Sequence, residues 1–223
     1  GKGTHRAIYR FRNFARKISL NNTRTGWVLK CDIRKFFDNI DHEILIRILN
    51  KYITDQDVMR LLENIIGSFQ ARTGKGLPLG NLTSQLFVNI YMNEFDQFVK
   101  RNLKVKYYIR FADDFIIIHE GRAYLENLIP SISNFLDIKL GLSLHPDKVS
   151  IKTIASGVDF LGWVNFQRHR VLRTSTRRRM FNKLRHKPTK DSLASYVGLL
   201  SHGNTHELGN RIKRESQYNQ KKY

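Results

Sequence analysis

Three acidic residues at the ends of apolar strands are the residues of this chain best suited to do chemistry. Asp113 and Asp114 are adjacent and lie between two short runs rich in β-branched and aromatic residues, 108–111 and 115–118, a pattern that predicts strand, tight turn and strand. Asp32 ends another apolar strand, residues 27–33. Paired carboxylates are costly to bury unless a cation neutralises them, and Mg²⁺ prefers oxygen ligands. In a basic protein, two such acid sites indicate two-metal phosphoryl chemistry on nucleic acid.

Ordinary structural roles offer a second interpretation of the same acids. Asp is a frequent turn former, so an Asp-Asp hairpin tip alone can be plain turn chemistry, and Asp32 could cap a turn at the end of its strand. The runs that flank Asp113 and Asp114 are too apolar for a surface hairpin, however. They favour a position for both acids at the floor of a cleft.

The charge of the chain favours a polyanionic partner. Its 223 residues include 39 Lys and Arg against 19 Asp and Glu, a formal net charge of +20, and each phosphate contact made by a cation releases condensed counterions. The longest wholly apolar run, residues 115–118, is far too short to span a bilayer. We therefore expect nucleic acid, and no membrane, as the partner. The single cysteine, Cys31, excludes an internal disulfide and fits the reducing cytosol, which predicts a cytoplasmic protein.

The periodicity of apolar residues predicts an α+β fold. Helices are expected over residues 4–18, 41–52, 55–69, 83–99 and 122–136, and strands over residues 27–33, 142–144, 149–154, 160–166 and 171–172 in addition to the Asp113–Asp114 hairpin. Helices and strands alternate without a strict βαβ rhythm, so an antiparallel sheet with helices on one face fits best. From residue 174 the pattern is helical and strongly basic.

Taken in order, these blocks resemble the palm of a bacterial group II intron-like reverse transcriptase. The resemblance is carried by residues 31–42, 111–114, 141–148 and 160–163. They are similar, respectively, to the first catalytic motif, the second catalytic motif, a following strand motif with its lysine, and the primer-gripping hairpin. The implied fold is a polymerase palm followed by a basic helical thumb, and the implied activity is synthesis of cDNA on an RNA template.

The segment from Leu79 to Gln85 narrows the resemblance to one subgroup of these enzymes. Group II intron enzymes usually show Gln-Gly-x-x-x-Ser-Pro there, whereas Leu79-Gly80-x-x-x-Ser84-Gln85 resembles the reverse transcriptases of diversity-generating retroelements. Residues 195–204 are also similar to the thumb of that group. The resemblance implies an error-prone enzyme. The alternatives are a retron, group II intron or CRISPR-associated reverse transcriptase, an RNA-dependent RNA polymerase, or a catalytically incompetent nucleic-acid-binding fragment.

The resemblance also implies roles for the acidic residues and one lysine. Asp32, Asp113, Asp114 and the backbone carbonyl of Ile33 would hold two Mg²⁺ ions, for which Mn²⁺ could substitute. Lys148 would donate a proton to the departing pyrophosphate. A solvated surface charge is the alternative interpretation of Lys148.

A second group of residues would contact the incoming nucleotide. Phe37 matches the aromatic steric gate that selects deoxynucleotides by a clash with the ribose 2′-hydroxyl, although it could be a core aromatic. Gly80, like Gly76, would let the backbone approach the nucleotide, and Ser84 and Gln85 would line the base pocket. A flexible loop followed by a capped helix would explain the same residues.

A third group would contact the primer and template: Phe160, Leu161, Gly162, Trp163, Arg177, Arg178, Arg179, Lys183 and Arg185. The first four could equally form a plain β-hairpin with Trp163 in the core, and each basic residue taken singly could be only a solvated charge. The implied partners are an RNA template, a DNA or RNA primer, deoxynucleoside triphosphates (dNTPs) and a small basic accessory protein.

The resemblance divides the chain into three parts. Residues 1–25 would be a remnant of the fingers and connector, residues 26–173 the palm, and residues 174–223 a thumb-like helical segment. Enzymes of this type carry fingers upstream of the first palm motif, and these are expected to be missing here. We therefore expect palm chemistry without the fingers' grip on the triphosphate.

Overall fold

The computed structural model describes residues 3–186, 189–205, 207–210 and 212. Its helices are α1 (Thr4–Ile18), α2 (His42–Asn50), α3 (Gln56–Gly67), α4 (Leu82–Gln97), α5 (Arg122–Leu140), α6 (Thr174–His186) and α7 (Lys190–Leu200). Its strands are β1 (Trp27–Asp32), β2 (Tyr108–Phe111), β3 (Asp114–His119), β4 (Ser150–Thr153), β5 (Val158–Phe160), β6 (Trp163–Asn165) and β7 (Arg170–Leu172). Short 3₁₀ turns cover Phe37–Asn39 and Pro146–Lys148, and a π-helical turn, Phe98–Asn102, extends α4.

Four strands form the central antiparallel sheet, in the order β2-β3-β1-β4. Its register places Asp32 directly opposite Asp114 across β1 and β3. A second antiparallel sheet has the order β5-β6-β7. The predicted α+β class with an antiparallel sheet is confirmed.

Both faces of the central sheet are covered, because successive side chains of a strand point to opposite faces. Phe115 and Ile117 belong to the largest apolar cluster, which includes α2, α4 and α5. Ile116 and Ile118 instead pack with Phe11 of α1 and with β5. The helices of the predicted palm thus share one face, while α1 covers the other because its apolar stripe needs a partner.

Local sequence signals set several element boundaries. Asp41 caps α2 by accepting a hydrogen bond from the Ile44 N–H, as the sequence predicts. Helix α5 continues past the predicted end at residue 136, because Leu140 is also buried and Gly141, at φ +58°, supplies the left-handed residue that ends it.

Three predicted strands or turns differ from the structure. The expected strand over residues 160–166 is a hairpin, since Leu161 and Gly162 both have positive φ and reverse the chain between β5 and β6. Residues 142–144 form no strand and contribute one bridge, between Leu144 and Ile33. In the acidic hairpin, Asp114 already belongs to β3, so Asp113 alone of the two acids lies in the turn.

The basic tail is helical where it is described. Met180 and Leu184 of α6 pack with Trp163 and with Ile8 of α1 in a third apolar cluster, so the tail is anchored to the second sheet and to α1. The predicted thumb-like region also includes residues 187–188, 206, 211 and 213–223, which lie outside the described residues. None of the described helices combines the length and apolar character needed to cross a bilayer.

Candidate active site

The β1–β3 register and the β2–β3 turn bring the three predicted acids to one end of the sheet. Asp32 and Asp114 are cross-strand partners. Asp113 lies in the turn after Ala112, whose φ of +53° is unusual for a residue with a Cβ. Phe111 is paired with Asp114 on the other side of β3. Sequence-distant carboxylates therefore meet because strand pairing requires it.

The acids destabilise one another's charged forms. Burial raises the pKa of Asp114 to about 6, with Lys30 opposing the rise and the charges of Asp32 and Asp113 adding to it. Burial also raises the pKa of Asp113, where the turn's own backbone N–H opposes the rise, Asp32 adds to it and Lys148 opposes it. A site that resists the ionisation of its own carboxylates favours a cation between them.

Two lysines partly neutralise these acids. Lys148 Nζ is 3.1 Å from Asp32 Oδ1, and Lys30 Nζ is 3.6 Å from Asp114 Oδ2. Lys148 reaches Asp32 because the His145 N–H donates to the Asp32 carbonyl and holds the 3₁₀ turn beside the end of β1. The sequence analysis did not single out Lys30. The sequence signal for Lys30 is that it precedes Asp32 by two residues on one strand, which puts both side chains on the same face of the sheet.

The donor set fits a hard divalent cation. Asp114 Oδ1 is buried and has no hydrogen-bond partner among the described residues. The Ile33 carbonyl likewise accepts no hydrogen bond in this part of the chain. Within the described residues, no three His, Cys, Asp or Glu side chains are close enough to form a ready-made metal cage. Carboxylate and carbonyl oxygens are the ligands that Mg²⁺ takes, so these acids could hold it once the lysines move aside.

A partly buried ion pair supports the turn that carries Asp113. Asp96 of α4 accepts hydrogen bonds from the Tyr108 hydroxyl at 2.7 Å and from Arg110 Nε and Nη2 at 2.8 and 2.7 Å. Arg110 Nη1 donates to the Ala112 carbonyl at 3.0 Å, so the guanidinium joins helix α4 to the acidic turn. The Arg110 side chain is only 8% exposed. Burial lowers its pKa, but Asp96 and Tyr108 outweigh that effect and raise it overall.

Sequence reasoning missed Arg110 and Asp96. The available signal was a cation inside an apolar strand, since a buried charge requires a partner. The identity of that partner could not be read from the sequence, because Asp96 is brought to Arg110 by the packing of α4 beneath β2.

The predicted nucleotide-contacting residues differ in their exposure to solvent. Phe36 is buried and Phe37 half-buried, with their rings edge to face at 5.4 Å. Gly80 is exposed with φ +85°, and space for a Cβ is open there. Gln85 is exposed, but Ser84 is buried at 1% exposure, so the structure argues against direct contact between Ser84 and a nucleotide.

A related correction concerns Gly76. The sequence analysis gave it, with Gly80, the role of admitting the nucleotide. A Cβ at Gly76 would instead lie 2.7 Å from the backbone nitrogen of Ala71. The glycine is therefore required by packing within its own loop.

The predicted primer-contacting hairpin is mostly core. Phe160 and Trp163 are buried at 0% and 2% exposure, so neither side chain is accessible in this structure, and their contact with a primer stays a prediction. Their role is to hold the hairpin, whose half-buried turn residues Leu161 and Gly162 remain accessible. The five predicted cations of α6 are all exposed: Arg177, Arg178, Arg179, Lys183 and Arg185.

Comparison with known families identifies the chain. Residues 2–164 match the family described as reverse transcriptase (RNA-dependent DNA polymerase). The match covers more than half of the 223 residues. The chain belongs to the reverse transcriptase family.

Individual relatives agree with this assignment. Protein YkfC of Escherichia coli K12 is 29% identical over 220 residues, a match that covers 80% of this chain and 56% of that protein. The group II intron-encoded protein LtrA of Lactococcus lactis is 36% identical over 87 residues, covering 36% of this chain and 14% of that protein. The chain thus spans about half the length of YkfC and less of LtrA.

Solved structures share the fold. Apo telomerase from Candida tropicalis, truncated from its C-terminal domain, superposes with a TM-score of 0.59 at 15% identity, covering 78% of this chain and 40% of that one. Telomerase from Candida albicans in complex with the TWJ fragment of telomeric RNA gives 0.59 at 12% identity, covering 97% and 45%. Together with the family match, these show a palm-like reverse transcriptase fold.

Removing the Arg110 side chain tests the support of the acidic turn. We expect Arg110→Ala to lower the free energy of unfolding by about 1.5–3 kcal/mol, because the half-buried Asp96 would lose its charge-assisted hydrogen bonds from the guanidinium. Arg60→Ala is the matched control. It removes an arginine from an exposed pair with Asp57, and should cost less than about 1 kcal/mol. Urea denaturation measures both, and equal losses would contradict a buried structural pair.

The raised pKa of Asp114 predicts a pH-dependent stability. The folded protein binds this proton more tightly than the unfolded chain, so stability falls as the pH rises from the unfolded pKa through about 6. Without divalent cations, Asp114→Asn should therefore stabilise the protein by up to about 3 kcal/mol above that pH and by little near pH 4. Urea denaturation across this pH range measures the difference. The exposed Asp137→Asn serves as control, and a gain for Asp114→Asn that is equal at both ends of the range would refute the assignment.

Proposed function

We propose that this chain is the catalytic palm, with part of the thumb, of an RNA-directed DNA polymerase that makes cDNA by two-metal nucleotidyl transfer. The observation that carries the proposal is the register of β1 and β3. It pairs Asp32 with Asp114 beside Asp113 in the turn, in a chain of the reverse transcriptase family.

Asp32, Asp113, Asp114 and the Ile33 carbonyl are the groups that would hold two Mg²⁺ or Mn²⁺ ions. When bound, the ions supply activation of the primer 3′-hydroxyl and stabilisation of charge on the triphosphate. Arg110 and Asp96 keep the turn of Asp113 in place, so the carboxylates are positioned before substrate arrives. Lys148, which pairs with Asp32 in this structure, is the nearby group that would donate a proton to the departing pyrophosphate.

The proposed substrates are dNTPs, with an RNA template and a DNA or RNA primer. Phe37 would act as the gate against the ribose 2′-hydroxyl, and Gly80 and Gln85, which are exposed, would contact the nucleotide. The exposed cations of α6 and the net charge of +20 support contact with the nucleic-acid backbone. The fold that the chain shares with telomerase bound to an RNA fragment supports RNA as a partner.

Within this class we propose an error-prone enzyme of a diversity-generating retroelement, assisted by a small basic accessory protein. The support is the pattern from Leu79 to Gln85. A group II intron enzyme is the second candidate, because LtrA is 36% identical over 87 residues. The two candidates differ in fidelity opposite template adenines.

The proposed division of the chain is residues 1–25 as connector, 26–173 as palm and 174–223 as thumb-like segment. It is supported by the packing of α6 against the second sheet rather than against the central one. Because the chain spans only about half of YkfC, the proposed activity should be assayed both on this chain and on a version extended upstream through fingers.

Primer extension tests the proposed polymerase. We expect Mg²⁺-dependent DNA synthesis on an RNA template, and a loss of at least about a thousandfold in Asp113→Asn, because a metal ligand at the reacting centre is removed. Asp137→Asn, an exposed acid on α5, should retain full activity. Synthesis that survives Asp113→Asn would contradict the assignment. Elevated misincorporation opposite adenine would favour the retroelement subtype, and its absence the intron-type alternative.

Shortening the proposed gate tests substrate choice. Phe37→Ala should raise incorporation of ribonucleotides relative to deoxynucleotides by at least about tenfold, because the clash with the 2′-hydroxyl is removed. Phe98→Ala is the matched control: Phe98 is also half-buried but stacks on Phe135, so its loss should lower stability without changing the ratio. The ratio of kcat/KM for the two nucleotide classes measures the effect, and an unchanged ratio in Phe37→Ala would count against the gate.

A further inference from the structure

A cavity of about 540 Å³ lies outside the acidic site, where three separate parts of the chain meet. Its walls are the first half of α1, the loop between β6 and β7 with the ends of those strands, and the turn after α7. None of the proposed metal, nucleotide or primer-contacting residues lines it. Neither the family match nor the proposed mechanism gives it a role.

The lining of this cavity is cationic. It includes Arg12, Arg168, Arg170, His5, His169 and His202, and none of the described residues that line it is an Asp or a Glu. Elsewhere in the described chain, the partly buried Arg110 is paired with Asp96 and Arg173 with Asp159. No described carboxylate forms an ion pair with the arginines of this cavity.

The cations are close enough to repel one another. Burial and then the charge of Arg12 lower the pKa of Arg170. Burial, His5 and Arg170 together lower the pKa of His202. The rings of His5 and His202 have centroids only 4.0 Å apart. An anion placed among these groups would relieve the repulsion, and arginine forks suit phosphate oxygens.

The walls of the cavity are held by the fold. The Asn204 N–H donates to the Arg170 carbonyl at 3.0 Å, and Arg170 Nε donates back to the His202 carbonyl. The Arg170 guanidinium lies over the Trp163 ring at 5.0 Å. Gly203 lets the turn approach that ring, since a Cβ there would lie 2.1 Å from it. Arg170 and the turn that carries His202 are thus positioned before any ligand binds.

The shape and aromatic content of the cavity fit a nucleotide unit. Its volume lies within the range of small-molecule pockets. Tyr9 and Phe166 add ring surfaces to the cationic lining. Proteins that bind single-stranded nucleic acid combine such rings, on which bases stack, with cations that contact the phosphates. Arg12, Arg168 and Tyr9 are exposed, so a continuous strand could enter and leave.

We propose that this cavity binds the phosphodiester backbone of a single-stranded RNA segment, at a site separate from the acidic residues. The choice of RNA rests on the proposed function; the choice of a phosphate-bearing ligand rests on the lining alone. Arg12 and Arg168 contact the phosphates, and Tyr9 offers a stacking face for a base.

The test compares two double variants that remove the same charge. Arg12→Ala with Arg168→Ala alters the cavity through two side chains that are exposed, so the fold is expected to be retained. Arg60→Ala with Arg101→Ala, also exposed and outside the cavity, is the control. Fluorescence anisotropy with a short single-stranded oligouridylate should show at least about a tenfold loss of affinity for the cavity variant and less than about twofold for the control. The salt dependence should also fall, by about 1.4 in the slope of log K against log salt for two lost contacts to a single strand.

The outcomes distinguish a failure of the cavity proposal from a failure of the polymerase proposal. Equal losses in both double variants would mean that bulk charge holds the RNA, and would overturn the proposal. Inorganic phosphate, added at matched ionic strength, could displace the RNA from the wild-type chain but not from the cavity variant. That result would show a small-anion site instead of an RNA site. The chain could fail to extend a primer while only the cavity variant loses RNA affinity. That result would count against the proposed polymerase and would support the cavity assignment.

Discussion

The pairing of β1 with β3 is the constraint on which the proposed chemistry depends. Side chains alternate between the faces of a strand, so a slip of one residue would move Asp32 out of register with Asp114 and exchange the buried sets on both faces. Apolar clusters on the two sides of the sheet, with Phe115 and Ile117 on one and Ile116 and Ile118 on the other, oppose any such slip. The same burial that fixes the register holds the carboxylates where water cannot fully solvate them.

That location imposes an electrostatic cost on the folded protein. Burial and the neighbouring Asp114 raise the pKa of the Cys31 thiol to about 12, so this cysteine is an inert part of the core. Lys30 and Lys148 offset part of the repulsion among the acids. The Arg110–Asp96 pair fixes the turn independently of any metal. Such a site lowers the stability of the fold until a ligand binds. This is a common trade-off between activity and stability.

The sequence predicted those features that local patterns determine. Helix α1 and strand β1 follow from apolar periodicity, and the start of α2 follows from the capping residue Asp41. Features that depend on packing between distant segments could not be derived in this way. The burial of Ser84 and Trp163, the partnership of Arg110 with Asp96, and the cationic cavity each require knowledge of which elements lie against one another. Composition indicated that cations outnumber acids, but not which cations have partners.

The distribution of paired and unpaired cations orders the binding events. Lys30, Lys148 and Arg110 beside the acidic site are paired with acids, whereas the arginines of the cavity and the predicted cations of α6 form no ion pair with a described acid. These unpaired cations attract a nucleic-acid backbone whether or not metal is present, because phosphate contacts require only positive charge. The acids, in contrast, repel a triphosphate until cations neutralise them. Under the proposed function, RNA binding is therefore expected to be independent of Mg²⁺, and nucleotide binding is expected to require it.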